Sequence, residues 1–77
     1  MAEVVLYVIP GCQSCRQMRD YLHKRRVVFR EINALESPRS LARLPSGFQP
    51  DFPIVKIGTE VIARADATAV GRVLDRL

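Results

Sequence analysis

Residues 4–18, VVLYVIPGCQSCRQM, decide how the chain reads. Residues 4–9 form an unbroken apolar run, which suits a strand buried on both faces rather than one with a wet side. Pro10 and Gly11 punctuate the run and mark a turn. From Gln13 to about Arg25, the apolar residues Cys15, Met18 and Leu22 recur at i, i+3 and i+7, the spacing of one helical face. Cys12 and Cys15 therefore sit where a buried strand passes into a helix.

Beyond the helix, VVFREI (residues 27–32) predicts a second strand. Strand, helix and strand then fill the length of a βαβ unit, whose strands pair in parallel through a right-handed crossover. In ESPRSLARL, Ser37 caps a short helix with Pro38 at its first position, and Leu41 and Leu44 supply its apolar face. PSGFQPDFP reads as a loop. IVKI (residues 54–57), a Gly58-Thr59 turn and EVIAR (residues 60–64) predict a β-hairpin. Asp66 is an N-cap for a last helix in which Val70, Val73, Leu74 and Leu77 form the face toward the sheet. Gly71 within that helix points to close approach of a neighbouring strand. The order strand, helix, strand, helix, strand, strand, helix predicts an α/β fold: one mixed four-stranded sheet flanked by helices, with residues 1–77 as a single domain.

With 77 residues the chain lies near the lower limit at which one core holds without staples. Its 48% apolar and 26% charged content, without repeats or low-complexity stretches, is that of a folded soluble protein. MAEVVLYVIP carries an acidic Glu3 and no basic stretch, and its apolar run stops at Pro10, too short for a secretory signal or a membrane span. The expectation is a cytoplasmic protein without a membrane partner. In a reducing cytosol a close cysteine pair is expected to be catalytic, redox-sensing or metal-binding rather than a permanent staple. The net charge of +4 is carried mainly by arginine, with Arg16, Arg19, Lys24, Arg25, Arg26 and Arg30 clustered in the first half. That bias favours anionic partners. No aromatic residue interleaves the basic cluster closely enough to suggest a base-stacking surface, so nucleic acid is not an expected partner.

At the N-cap or first position of a helix, Cys12 meets free backbone N–H groups and the positive end of the helix dipole, which stabilise a thiolate. Thiols so placed titrate below the free value of about 8.5. Cys15 lies one turn on, about 5 to 6 Å away between Cα atoms, a separation that an unstrained disulfide spans. It shares the apolar face of Met18 and Leu22 and is the less accessible of the two. This asymmetry makes Cys12 the attacking thiol and Cys15 the resolving one. Arg16 and Arg19 are near enough to receive an anionic substrate, although solvated surface charge is their default role. A structural zinc site needs four ligands, and His23 is the sole further soft ligand, so a metal or iron–sulfur site would require a second chain or external thiols.

YVIPGCQSC (residues 7–15) and FPIVKIG (residues 52–58) together resemble the glutaredoxin branch of the thioredoxin superfamily, and the resemblance covers essentially the whole chain. It implies a thioredoxin-like (glutaredoxin) fold and a thiol–disulfide oxidoreductase acting through Cys12 and Cys15. It also implies a cis Pro53 facing the dithiol, with the backbone of Phe52 left to pair with a bound substrate chain as a short strand. The substrate-binding set on this reading is Gly11, Arg16, Phe52, Pro53 and Asp66, with no metal and no bound cofactor. Glutathione is a possible co-substrate, a disulfide-containing protein an equal candidate, and a reductase of unspecified type restores the dithiol to a monomeric protein. Two positions depart from the family. Ile9 stands where glutaredoxins often carry a lysine, and in IARAD (residues 62–66) Ala63 and Arg64 replace a Gly-Gly step, leaving Asp66 to fit the glutathione pattern. The alternatives are a non-enzymatic interaction module of the same fold and a dimeric iron–sulfur or metal carrier.

Overall fold

The computed structural model describes residues 2–36 and 52–77. The apolar run forms β1 (Val4–Val8), and the cysteine turn leads into α1 (Gln13–Lys24) and then β2 (Arg30–Asn33). After the second described segment begins come β3 (Ile54–Ile57), β4 (Glu60–Ile62) and α2 (Ala67–Asp75). The strands make one sheet in the order β2-β1-β3-β4. β2 pairs in parallel with β1, placing Asn33 opposite Val8, whereas β3 runs antiparallel to both β1 and β4. This is the mixed four-stranded α/β arrangement that the sequence predicts. The helix expected after Ser37, and most of the loop after it, lie outside the described residues.

β1 lies inside the sheet and is buried along its whole length, which accounts for its lack of polar alternation. Its residues nevertheless divide between two faces, as the period of two requires. Val4, Leu6 and Val8 join Cys15, Met18 and Leu22 of α1, Val55 and Ile57 of β3, and Val70 and Val73 of α2 in the main core. Val5 and Tyr7 turn to the opposite face, where they pack with Ile54 and the partly buried Ile32, Phe52 and Val61. Both described helices thus cover one face of the sheet.

The second strand begins later than its sequence suggests. Val27, Val28 and Phe29 precede β2, and Val28 is 93% exposed. The cause is the way α1 ends. Arg26 takes a left-handed conformation (φ 56°), its N–H donates to the His23 carbonyl (3.0 Å), and the Val27 N–H donates to the Leu22 carbonyl (3.0 Å). These two bonds make a Schellman motif, which satisfies carbonyls the helix end would leave open. Val27 follows it into contact with the core beside Leu22 instead of opening a strand. The β-hairpin also closes sooner than expected, since β4 stops at Ile62.

Two further expectations are corrected around α2. Gly71 approaches α1 and not a strand: a Cβ there would lie 2.8 Å from the Tyr21 hydroxyl and 3.4 Å from an Arg25 guanidinium nitrogen. The absent side chain makes room for a polar clasp in which Arg25 donates to the Tyr21 hydroxyl (2.8 Å) and to Asp75 Oδ1 (2.9 Å). The hydrogen bond to Asp75 holds the Arg25 guanidinium pKa above its ordinary value. Leu77 is not part of the inward face. It lies beyond the last helical residue and is 71% exposed, whereas Val70 and Val73 are buried.

Candidate active site

Cys12 is the N-cap of α1, with extended backbone (φ −94°, ψ 107°). Its Sγ accepts the Cys15 backbone N–H at 3.0 Å, so sulfur does what a serine or aspartate oxygen does at an ordinary N-cap. The first turn of α1 holds no acidic residue. Helix end, amide donor and absence of nearby acid on this turn all favour negative charge on Cys12 once the pair is reduced. Gly11 precedes it at φ +74°, in the left-handed region, and a Cβ there would touch nothing within 4 Å. The backbone, rather than crowding, requires glycine at this turn.

Cys12 and Cys15 are joined as a disulfide, with their Cα atoms 5.2 Å apart. Their surroundings differ as the helical pattern implies. Cys15 is 2% exposed within the main core, whereas Cys12 is half-buried at its margin. A reagent or partner arriving from solvent meets Cys12 first.

A groove of about 300 Å³ opens beside the disulfide, between the β1–α1 turn, the outer side of α1 and the end of β2. Gly11, Cys12, Cys15 and Arg16 line it together, as do Arg19 and Glu31. Arg19 is bound to Glu31 by two charge-assisted hydrogen bonds of 2.6 and 2.8 Å. Its hydrogen bond to Glu31 raises the Arg19 pKa, with partial desolvation opposing, so the arginine stays charged and its charge is already matched. Glu31 and Asn33 had not been singled out from sequence. The parallel register could have found them, because it sets the end of β2 beside the end of β1, where the turn begins.

The remaining expected substrate residues lie elsewhere. Phe52, Pro53 and Asp66 do not line this groove. The Phe52–Pro53 bond is cis, as the resemblance implies, Pro53 is fully buried, and its carbonyl accepts the Ala65 N–H at 2.8 Å. His23 is exposed on α1, with its ring 5.2 Å from that of Phe29. Among the described residues no three His, Cys, Asp or Glu side chains converge on a point that could hold a metal ion.

The family model for glutaredoxin matches residues 4–62, a span that contains both cysteines, the groove and the whole sheet. The chain belongs to the glutaredoxin family. Its fold is also that of the solved thioredoxin-like protein BC3987 and of a mutant of it. The mutant superposes with a TM-score of 0.82 at 22% identity, covering 94% of this chain and 99% of that one. For BC3987 itself the TM-score is 0.81 at 21% identity, with 92% and 99% covered. A curated relative, the global transcriptional regulator Spx of Streptococcus mutans, is 46% identical over 37 residues. That match takes in 48% of this chain and 27% of the relative, so the chain matches about a quarter of that protein's length.

Asp66 has a sufficient structural role. Its Oδ1 accepts the Ala69 N–H at 2.8 Å and caps α2. Asp66→Ala is expected to cost about 1 kcal/mol of stability, and Asp66→Ser to restore most of it, since serine caps nearly as well. Denaturant unfolding of the two variants checks this. If Asp66→Ser is as unstable as Asp66→Ala, the carboxylate does something other than cap. No helix among the described residues is long and apolar enough to cross a membrane.

Proposed function

We propose that this chain is a thiol–disulfide oxidoreductase that reduces protein disulfides or glutathione mixed disulfides in the cytoplasm and so contributes to cell redox homeostasis. The observation that supports it most is the closed disulfide between a half-buried N-cap cysteine and a buried cysteine one turn on. In the reduced protein the Cys12 thiolate attacks one sulfur of a substrate disulfide. A mixed disulfide forms, and the displaced substrate sulfur leaves as a thiolate that takes up a proton. Cys15 then loses its proton and attacks Cys12 Sγ, which releases the second substrate thiol and closes the Cys12–Cys15 bond. Two electrons pass from the protein to the substrate. The low exposure of Cys15 suits the second role, because it can reach Cys12 without competing for substrate.

No bound cofactor is needed for this cycle. Glutathione, or a reductase acting on the disulfide, returns the electrons. Turnover of a model disulfide by the reduced protein, coupled in parallel to glutathione with glutathione reductase and to thioredoxin reductase, tests the assignment. Sustained turnover with at least one is expected. Turnover with neither, together with a Cys12 thiol that titrates at the free value of about 8.5, rules it out.

The match to a transcriptional regulator favours a second reading, in which the same pair senses oxidation and changes how a non-enzymatic module docks its partner. The coupled assay separates the two, since a sensor oxidises once per chain and does not go on to reduce substrate repeatedly.

A further inference from the structure

Six of the charged side chains that surround α1 and the sheet edge are already matched. Arg19 is bound to Glu31, Arg30 to Glu3 at 3.1 Å, and Arg25 to Asp75 at 2.9 Å. Arg16 is different. It stands on the first turn of α1, where its backbone N–H donates to the Cys12 carbonyl at 3.3 Å, and its exposed side chain lines the groove without an ion pair or side-chain hydrogen bond among the described residues. The acid in the groove wall, Glu31, has both carboxylate oxygens occupied by Arg19. Asn33, also in the wall, accepts the Leu35 N–H on its Oδ1 at 3.0 Å, and its amide N–H groups have no partner among the described residues. Beside Cys12, then, the groove offers an unmatched cation and free amide donors, while each side-chain oxygen of Glu31 and Asn33 already accepts one hydrogen bond.

From this we propose that the groove selects disulfides of acidic polypeptides, and that Arg16 is the positioning residue that receives a carboxylate next to the attacked cysteine. The inference rests on the dithiol reading above and adds the substrate class. It concerns the β2 side of Cys12, away from Phe52, Pro53 and Asp66. A substrate carboxylate seated at Arg16 lies one helical turn from the sulfur under attack, so it fixes which way the substrate chain runs across Cys12 without touching the reacting atoms.

The test uses pre-reduced full-length protein and three peptides, each supplied as its own symmetrical disulfide, with the cysteine flanked by glutamate, glutamine or lysine. Single-turnover rates are compared as the ratio of the glutamate to the lysine peptide, which cancels any change in Cys12 reactivity. Wild-type protein is expected to favour the glutamate peptide. Arg16→Ala should lower the ratio about threefold and Arg16→Glu about tenfold, in keeping with one exposed ion pair lost and then reversed, while Arg16→Lys retains most of it. Arg72→Glu makes the same change of net charge on α2, outside the groove, and should leave the ratio near the wild-type value. Equal ratios for wild type and Arg16→Glu, or equal shifts for Arg16→Glu and Arg72→Glu, overturn the proposal and leave the dithiol reading intact. Failure of wild-type protein to reduce any of the three peptides overturns both.

Discussion

Cys12→Ser is expected to bring disulfide reduction down to the uncatalysed rate while leaving the reduced protein folded. The nucleophile in disulfide exchange is a thiolate, and a serine hydroxyl at neutral pH does not replace it. Serine is, on the other hand, among the best N-cap residues, and its oxygen can accept the Cys15 N–H that Cys12 Sγ accepts at 3.0 Å. The substitution therefore removes the chemistry and keeps the cap. The proper comparison is with reduced wild-type protein, because the variant cannot close the disulfide. Circular dichroism and thermal unfolding should match that reference, with activity lost. Residual turnover well above background in the variant would mean that Cys15, 2% exposed as it is, attacks substrate directly, and the two roles would have to be exchanged.

Leu6→Ala is expected to have the largest effect on stability. Leu6 has no exposed surface, sits mid-way along β1, and pairs with Glu31 of β2 and Val55 of β3 beneath both helices. Replacing a buried leucine by alanine costs about 2 to 5 kcal/mol, because the cavity adds to the lost transfer energy. A domain of this size has roughly 4 to 12 kcal/mol in total, so the variant should be marginal, with Tm lowered by more than about 10 °C. Leu35→Ala, at a residue that is 70% exposed, should stay within about 0.5 kcal/mol of wild type. A Leu6→Ala variant that melts with wild type would contradict the placement of β1 inside the sheet.

What could be read from the sequence was what local chemistry determines. An apolar run with no polar alternation has to be covered on both sides, and β1 is. Asp66 before a stretch of helical periodicity is a cap, and it accepts the Ala69 N–H. Cys12 and Cys15 fall at the strand-to-helix turn because Pro10 and Gly11 end the one element and the i, i+3, i+7 pattern begins the other. The misread parts depended on partners remote in sequence or on an unusual residue. Val27, Val28 and Phe29 have the composition of a strand, and the signal against it would have been a glycine after α1. Arg26 occupies that left-handed position instead, so the sequence carries no flag for the Schellman turn. Gly71 was recognisable as a close approach, but its neighbour, Tyr21, is on another helix and nothing local identifies it. The groove wall was legible only through topology: the parallel pairing expected of a βαβ unit sets the end of β2 beside the turn, but the register that brings Glu31 to Arg19 is not written in either segment alone.

The central claim is that Cys12 attacks and Cys15 resolves, and trapping the intermediate tests it most directly. Reduced Cys15→Ser protein is mixed with a peptide disulfide, quenched in acid, and analysed by intact-mass and fragment mass spectrometry. The predicted result is a stable adduct of one peptide per chain, located on Cys12. Absence of any adduct, under conditions in which the wild-type protein reduces the same peptide, would contradict it.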